Sequence, residues 1–64
     1  MTLFTMRTLR DQKITFFVDH NEQSLIMYID DDKKLVLTSI GEIANFRYLC
    51  TEAIDLLKEG KIND

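Results

Sequence analysis

The chain has 64 residues and a formal net charge of −3, and its 45% hydrophobic and 30% charged content is typical of one soluble globular domain over residues 1–64. One cysteine and one histidine exclude an internal disulfide framework and a four-ligand zinc site, and the acidic balance argues against a positively charged coat for duplex DNA. No apolar run reaches the length of a signal-sequence core or a membrane span, so we expect the protein in the cytoplasm.

Four short runs rich in β-branched and aromatic residues, separated by polar clusters, predict four β-strands. They cover Leu3–Leu9, Lys13–Asp19, Ser24–Asp30 and Lys34–Thr38. The gaps between the runs suit hairpins, so we expect one antiparallel meander. Within the second run Ile14, Phe16 and Val18 share one face, which is the alternation of a sheet with a single buried side.

Alternation also predicts how the strands pair, because a shift by one residue would turn every apolar side chain to the other face. A tight turn at Asn21 and Glu22 pairs Val18 with Leu25, Phe16 with Met27, Ile14 with Ile29, Phe17 with Ile26, and Thr15 with Tyr28. A three-residue turn at Asp31–Lys33 pairs Leu35 with Ile29 and Leu37 with Met27. A three-residue turn at Asp11–Lys13 pairs Thr8 with Phe16 and Met6 with Val18. Leu3 and Leu9 then fall on the face opposite the one that carries Ile14, Phe16 and Val18.

After the fourth strand the hydrophobic period changes to that of a helix. An apolar stripe is formed by Ile43, Phe46, Cys50, Ala53, Ile54 and Leu57, with Leu49 and Leu56 at its edge. Ser39 and Glu42 form a capping-box pattern, with Thr38 as an alternative N-cap, while Gly60 after Lys58 suits the C-terminal end.

The predicted fold is therefore α+β, a four-stranded antiparallel meander followed by one C-terminal helix that packs on one sheet face. Cys50 lies on the apolar stripe, so we expect it to be a buried packing residue.

One helix leaves the second sheet face uncovered, and that face is the most informative feature of the sequence. It should carry Thr15, Phe17, Ile26, Tyr28 and Val36, with Arg7 near Phe17. Such a face can pack in a homodimer, which a core of this small size favours, or hold single-stranded nucleic acid on its aromatic rings. Both are possible together if subunits meet at one edge of the sheet.

Basic residues concentrate on the sheet and acidic residues on the helix. Residues 1–18 hold Arg7, Arg10 and Lys13 against Asp11 alone, and this polarity permits nucleic-acid binding despite the net negative charge. The candidate binding residues are Arg7, Arg10, Lys13, Thr15, Phe17 and Tyr28.

The sequence predicts no enzyme, metal site or cofactor. The cluster "DDDKK" lacks the spaced ligands of a calcium loop and is typical of a solvated turn. His20 lies in a predicted turn without a neighbouring Ser or Cys to activate. Asp19 and Glu22 are close in sequence, but paired catalytic carboxylates need a pocket, for which so small a fold leaves little room.

The segment "KLVLTSIGEIANFRYLCTEAIDLL" resembles the last strand and helix of purine-rich-element-binding (PUR) repeats. The shared features are alternating leucines, a hydroxyl residue at the junction, and an aromatic-Arg pair before Tyr-Leu. Here they are Leu35, Leu37, Thr38, Phe46, Arg47, Tyr48 and Leu49. The upstream "KITFFVDHNEQSLIMYID" is similar to the family's aromatic-rich hairpin, and Whirly and positive-cofactor-four modules have the same β4-α order.

The resemblance covers roughly residues 13–57 and implies a dimer of β4-α units that binds single-stranded DNA or RNA on curved sheet faces. It places Phe17 and Tyr28 as stacking residues, with Arg7, Arg10 and Lys13 nearby. Dimerisation would supply the second repeat that such proteins usually carry within one chain.

Two functions follow as hypotheses. The first is a dimeric module that binds single-stranded DNA or RNA on the uncovered aromatic face. The alternative is a small protein-interaction module, such as a phage-type inhibitor or regulator, that docks a protein partner through the same face or an edge strand.

Overall fold

The computed structural model describes residues 2–60, which form one antiparallel sheet and one helix. The strands are β1 (Thr2–Arg7), β2 (Lys13–Asp19), β3 (Ser24–Ile29) and β4 (Asp32–Leu37), and the helix α1 spans Ile40–Glu59. The strands lie in the order β1-β2-β3-β4, each antiparallel to its neighbour. The predicted β-β-β-β-α fold is confirmed.

The central hairpin has the register that the sequence predicts. Val18 pairs with Leu25, Phe16 with Met27, Ile14 with Ile29, Phe17 with Ile26, and Thr15 with Tyr28. Asp19 and Ser24 are the last residues paired in this hairpin. The carboxylate of Asp19 accepts hydrogen bonds from the amides of Asn21 (3.0 Å) and Glu22 (3.3 Å). This Asx-type turn closes the hairpin, with Gln23 at a positive φ of 53°.

The first hairpin differs from its predicted register by four residues. Met6 pairs with Ile14, not with Val18 as predicted, and Phe4 pairs with Phe16. The reason is a closed loop after Arg7. The amide of Thr8 donates to the carbonyl of Gln12 at 2.9 Å, and the Thr8 hydroxyl accepts from the Gln12 amide at 3.1 Å.

That loop also corrects the expected end of β1. The strand ends at Arg7, so the paired position predicted for Thr8 is wrong, and Leu9 is fully exposed in the connection. The four-residue shift is even, so Met6 keeps its expected face and Leu3 lies on the opposite one, as predicted.

The last hairpin turns on Asp30 and Asp31, which both have positive φ, at 51° and 73°. Two such residues between antiparallel strands are the signature of a tight type I′ connection, shorter than the predicted three-residue turn. Leu35 therefore pairs with Met27 and Leu37 with Leu25, two residues away from the predicted register.

A bulge in β4 restores the apolar side of the strand after this tight turn. Lys33 pairs with Tyr28 while Leu35 pairs with Met27, so Lys34 is the extra residue on its strand. The prediction that Lys33 belongs to the turn is wrong, because Lys33 lies within β4 directly beside Tyr28.

The junction from β4 to α1 consists of Thr38 and Ser39. Ser39 is the N-cap, with extended φ and ψ of −149° and 157°, and its hydroxyl accepts from the amide of Glu42 at 3.1 Å. The Glu42 carboxylate reaches back one residue further than in the standard capping box, accepting from the Thr38 amide at 2.8 Å. Gly60, at a left-handed φ of 68°, ends the helix as predicted.

The inner face of the sheet is the side on which α1 lies. It carries Phe4 and Met6 of β1, Ile14, Phe16 and Val18 of β2, Leu25, Met27 and Ile29 of β3, and Leu35 and Leu37 of β4. Among the described residues Leu25 is the one buried hydrophobic side chain, at 7% exposure. The ring of Phe16 meets Phe46 of the helix edge to face, with centroids 6.5 Å apart.

The helix covers the inner face only through its first two turns. Ile43, Ala44 and Phe46 are half-buried, whereas every residue from Arg47 to Glu59 is exposed. The prediction that Cys50 is a buried packing residue is therefore wrong, because this part of the helix lies beyond the cover of its own sheet.

Candidate nucleic-acid interface

The outer face is the sheet side opposite α1, and its side chains form rows across the strands. The first row runs Leu3, Phe17, Ile26, Val36 and is apolar. The second runs Thr5, Thr15, Tyr28, Lys33 and carries hydroxyl groups and an ammonium group. Next to it lies the basic pair of Arg7 and Lys13. The face thus changes from apolar to basic along the direction of the strands.

A shallow concavity of about 320 Å³ lies on the outer face. Four of the six predicted site residues line it, namely Lys13, Thr15, Phe17 and Tyr28, and Leu3, Thr5 and Asp31 complete its wall. Residues from three strands and one turn therefore converge on one surface. The concavity is open to solvent, so it suits a flat or extended ligand better than an enclosed small molecule.

The two predicted arginines lie outside this lining. Arg7 is on the outer face opposite Lys13, and its guanidinium donates to the carbonyl oxygen of Asp11 at 2.9 Å. Arg10 is exposed in the β1–β2 connection. The structure thus brings Arg7 next to the concavity and leaves Arg10 at the end of the sheet.

The backbone of Lys13 is fixed by Asp30 at the neighbouring turn. The Lys13 amide donates to the Asp30 carboxylate at 2.9 Å, and the Asp30 amide donates to the Lys13 carbonyl at 2.8 Å. These two bonds join the start of β2 to the end of β3. The base of the Lys13 side chain is therefore held at the rim of the concavity.

Both cations beside the concavity have a carboxylate partner. The Lys13 ammonium lies 3.1 Å from Asp31, and the Arg7 guanidinium lies 3.5 Å from the Asp11 carboxylate. The carboxylates are largely exposed, so the pairs are screened by water and weak. A phosphate group can compete for either cation, but it has to approach Asp31 to reach Lys13.

Phe17 and Tyr28 supply two aromatic rings on adjacent strands. Phe17 pairs with Ile26, and Tyr28 lies two residues further along β3, so the two form a diagonal pair about 7–8 Å apart. Both residues are half-buried, which limits the freedom of the rings while leaving part of each accessible. Such rings can each stack on a planar group, as nucleic-acid bases do on sheet platforms.

The sequence analysis does not include four residues among the candidate binding residues that the structure places at this site: Leu3, Thr5, Lys33 and Asp31. Leu3 and Thr5 became neighbours of Phe17 and Thr15 through the corrected β1 register. The positions of Lys33 and Asp31 follow from the two-residue turn and the bulge. A pair of aspartates in sequence is a recognisable signal for a turn with positive φ, since Asp tolerates the left-handed region better than most residues.

Other predicted surface features also have definite places. His20 lies in the β2–β3 turn, where its Nε2 is 3.1 Å from the Thr2 hydroxyl at the far end of β1. Across residues 2–60, no group of three or more His, Cys, Asp or Glu side chains is placed to hold a metal ion. Within that same range, no helix has the length and apolar character needed to cross a membrane.

Comparisons of the chain with protein-family models, curated proteins and solved structures found no match. The resemblance to PUR repeats therefore stays a prediction.

Proposed function

We propose that this protein is a dimeric module that binds single-stranded DNA or RNA on its outer face, in the cytoplasm. The observation that carries the proposal is the joint lining of one open concavity by Phe17, Tyr28 and Lys13. The face is free of the chain's own helix, which lies on the other side of the sheet. The single cysteine accords with a reducing compartment.

The chemistry of the rows favours a single strand over a duplex. Two half-exposed rings can stack on unpaired bases, and the hydroxyl groups of Thr5 and Thr15, which line the same concavity, can donate to sugar or phosphate oxygens. Duplex DNA keeps its bases stacked inside and presents two charged backbones, for which a chain of net charge −3 is poorly suited.

Electrostatics limits the expected affinity. Arg7, Lys13 and Lys33 are the cations on or beside the outer face, and Asp31 lies among them. We therefore expect modest affinity at physiological salt, with stacking as the larger contribution and few counterions released.

Fluorescence polarisation with labelled single-stranded oligonucleotides at low salt tests the proposal. Phe17→Ala and Tyr28→Ala should each weaken binding by about 1–3 kcal/mol, roughly 5- to 200-fold, if each ring stacks on a base. Val36→Ala is the matched control, because Val36 is an exposed outer-face residue in the same row as Phe17 but has no ring. Absence of binding at low salt, or equal losses in all three variants, would rule out the stacking platform.

A second candidate function is docking of a protein partner, and the exposure of β1 favours it. All six residues of β1 are exposed, and the strand is at the edge of the sheet, where it can accept a further strand. Capture from nuclease-treated lysate separates the two functions. A protein that is retained after nuclease and lost with Phe17→Ala or Tyr28→Ala would favour protein docking on the outer face.

A further inference from the structure

The apolar stripe of α1 continues well past the part that the sheet covers. Ile43 and Phe46, at its N-terminal end, are half-buried against the inner face. On the same side of the helix, Ile54 is 51% exposed and Leu57 is 79% exposed. Successive stripe residues recur at the spacing that keeps them on one helix face. A stripe this long can pack against another surface along the whole helix, yet only its N-terminal part packs against the sheet.

The inner face of the sheet also has an uncovered part, at β1. Phe4 and Met6 of β1 are 59% and 57% exposed, although they lie on the side of the sheet that holds the core. Together with Ile14 and Phe16 they line an apolar hollow of about 160 Å³. One chain therefore carries an uncovered apolar hollow and an uncovered apolar helix half.

The overall dimensions give the scale of what is uncovered. The solvent-accessible surface is 5319 Å², against roughly 4,200 Å² for a compact monomer of 7.5 kDa. The radius of gyration is 14.0 Å, where about 11 Å is typical of a compact domain of this length. The excess of roughly 1,000 Å² is close to the ~800 Å² that each partner buries in a stable protein interface.

We infer that a second copy of this chain occupies the hollow with the C-terminal half of its helix. In this dimer Ile54 and Leu57 of each helix pack against Phe4 and Met6 of the partner subunit's sheet. The exchange is reciprocal, so a single twofold axis satisfies both surfaces of both chains and the assembly closes. This inference rests on the dimer in the proposed function and specifies how its subunits pack; its tests use no nucleic acid, so it can fail while strand binding holds.

A second copy fits better than an unrelated partner because the two uncovered surfaces match each other. Both are apolar, and no charged residue is among those lining the hollow. The acidic residues Glu52 and Asp55 lie on the helix away from the stripe, so they can stay in water when the stripe is buried. The outer face, with Phe17 and Tyr28, is on the opposite side of each sheet and stays open in this arrangement.

The first test is the mass in solution with one stripe variant and one matched control. Sedimentation equilibrium of the full chain should give about 15 kDa, twice the monomer mass of 7.5 kDa. Ile54→Asp should raise the dissociation constant of the dimer by about 100-fold or more, because it places an unpaired charge in the apolar contact. Tyr48→Asp should leave the constant unchanged, since Tyr48 is 60% exposed on the other side of the same helix.

The second test uses the unaltered protein, so it remains decisive if Ile54→Asp fails to fold. In a mixed sample of isotope-labelled and unlabelled chains, isotope-filtered nuclear Overhauser spectra should connect the Ile54 and Leu57 methyl groups to the Phe4 ring of the other chain. A monomer at all concentrations would overturn the inference. So would a dimer whose intermolecular contacts join outer faces, edge strands or helices alone.

Discussion

Phe16 of β2 and Phe46 of α1 meet edge to face, with ring centroids 6.5 Å apart and ring planes at 63°. This geometry places the positive edge of one ring against the negative face of the other, which adds to the burial of apolar area. The contact holds the first two turns of the helix on the inner face, and the residues that follow, from Arg47 to Glu59, are exposed.

Phe46→Ala should therefore lower the free energy of unfolding by about 2–3 kcal/mol, less than for a fully buried phenylalanine because Phe46 is only half-buried. Urea unfolding followed by circular dichroism measures the change. Tyr48→Ala is the control, since Tyr48 is exposed on the same helix and should cost well under 1 kcal/mol. Equal losses in both variants would show that the aromatic contact adds nothing.

The helix start gives a second stability prediction. Ser39→Ala removes the hydroxyl that accepts from the Glu42 amide and should cost about 1 kcal/mol in urea unfolding. Ser39→Asp keeps an acceptor there and adds a negative charge at the helix N-terminus, so it should be neutral or slightly stabilising. A loss in Ser39→Asp as large as in Ser39→Ala would contradict this role.

Asp31 has a φ of 73°, a conformation that costs free energy for a residue with a side chain. Asp31→Gly should raise the free energy of unfolding by about 0.5–1 kcal/mol, the relief of backbone strain exceeding the added entropy of the unfolded chain. Asp31→Val should lower it by about 1–2 kcal/mol, because a β-branched side chain is least tolerated there. Thermal and urea unfolding of the pair should give opposite signs.

The same residue tests the electrostatics of the candidate interface. Asp31→Asn removes a negative charge 3.1 Å from the Lys13 ammonium and should tighten binding of single-stranded oligonucleotides about two- to fivefold at low salt. Asp32→Asn changes the net charge equally, but Asp32 pairs with Ile29 on the other side of the sheet, so its effect should be smaller. If both variants tighten binding alike, only net charge matters.

The proposed exchange of helices predicts two further observations on the unaltered chain. The melting temperature should rise with protein concentration, because association stabilises the folded state by mass action. Cys50, exposed in the single chain, should react slowly with a thiol reagent at high protein concentration and faster on dilution. A melting temperature and a thiol reaction rate that are both independent of concentration would exclude coupled association.

The sequence predicts the architecture and the central hairpin well because those depend on local patterns. In β2 and β3 both strands alternate and both are flanked by polar residues. A single register therefore sets Ile14, Phe16 and Val18 beside the alternating apolar residues of β3 on one face, and leaves Phe17 beside Ile26 on the other. Phe17 and Tyr28 were therefore placed correctly on the outer face.

The outer strands show where local patterns stop being sufficient. An even shift of β1 or β4 keeps the apolar side inward, so alternation alone cannot distinguish the observed registers from the predicted ones. The observed registers are fixed by the loops, through the Thr8–Gln12 hydrogen bonds and the left-handed backbone of Asp30 and Asp31.

The sequence contains even less information about where the helix lies on the sheet. A stripe indicates which side of a helix is buried but not which surface covers it, and this is why the burial of Cys50 was predicted wrongly.

The position of β1 has a consequence for the cell that makes this chain. It is an edge strand, exposed at all six residues, and Arg7 is its one charged side chain. Natural edge strands are normally protected against open-ended pairing by charge, proline or a covering element. If the helix of a second subunit is that cover, a substitution that weakens the dimer leaves the strand uncovered, with apolar Phe4 and Met6 exposed. The protein would then form insoluble aggregates that grow by strand addition, before any loss of ligand affinity could be detected.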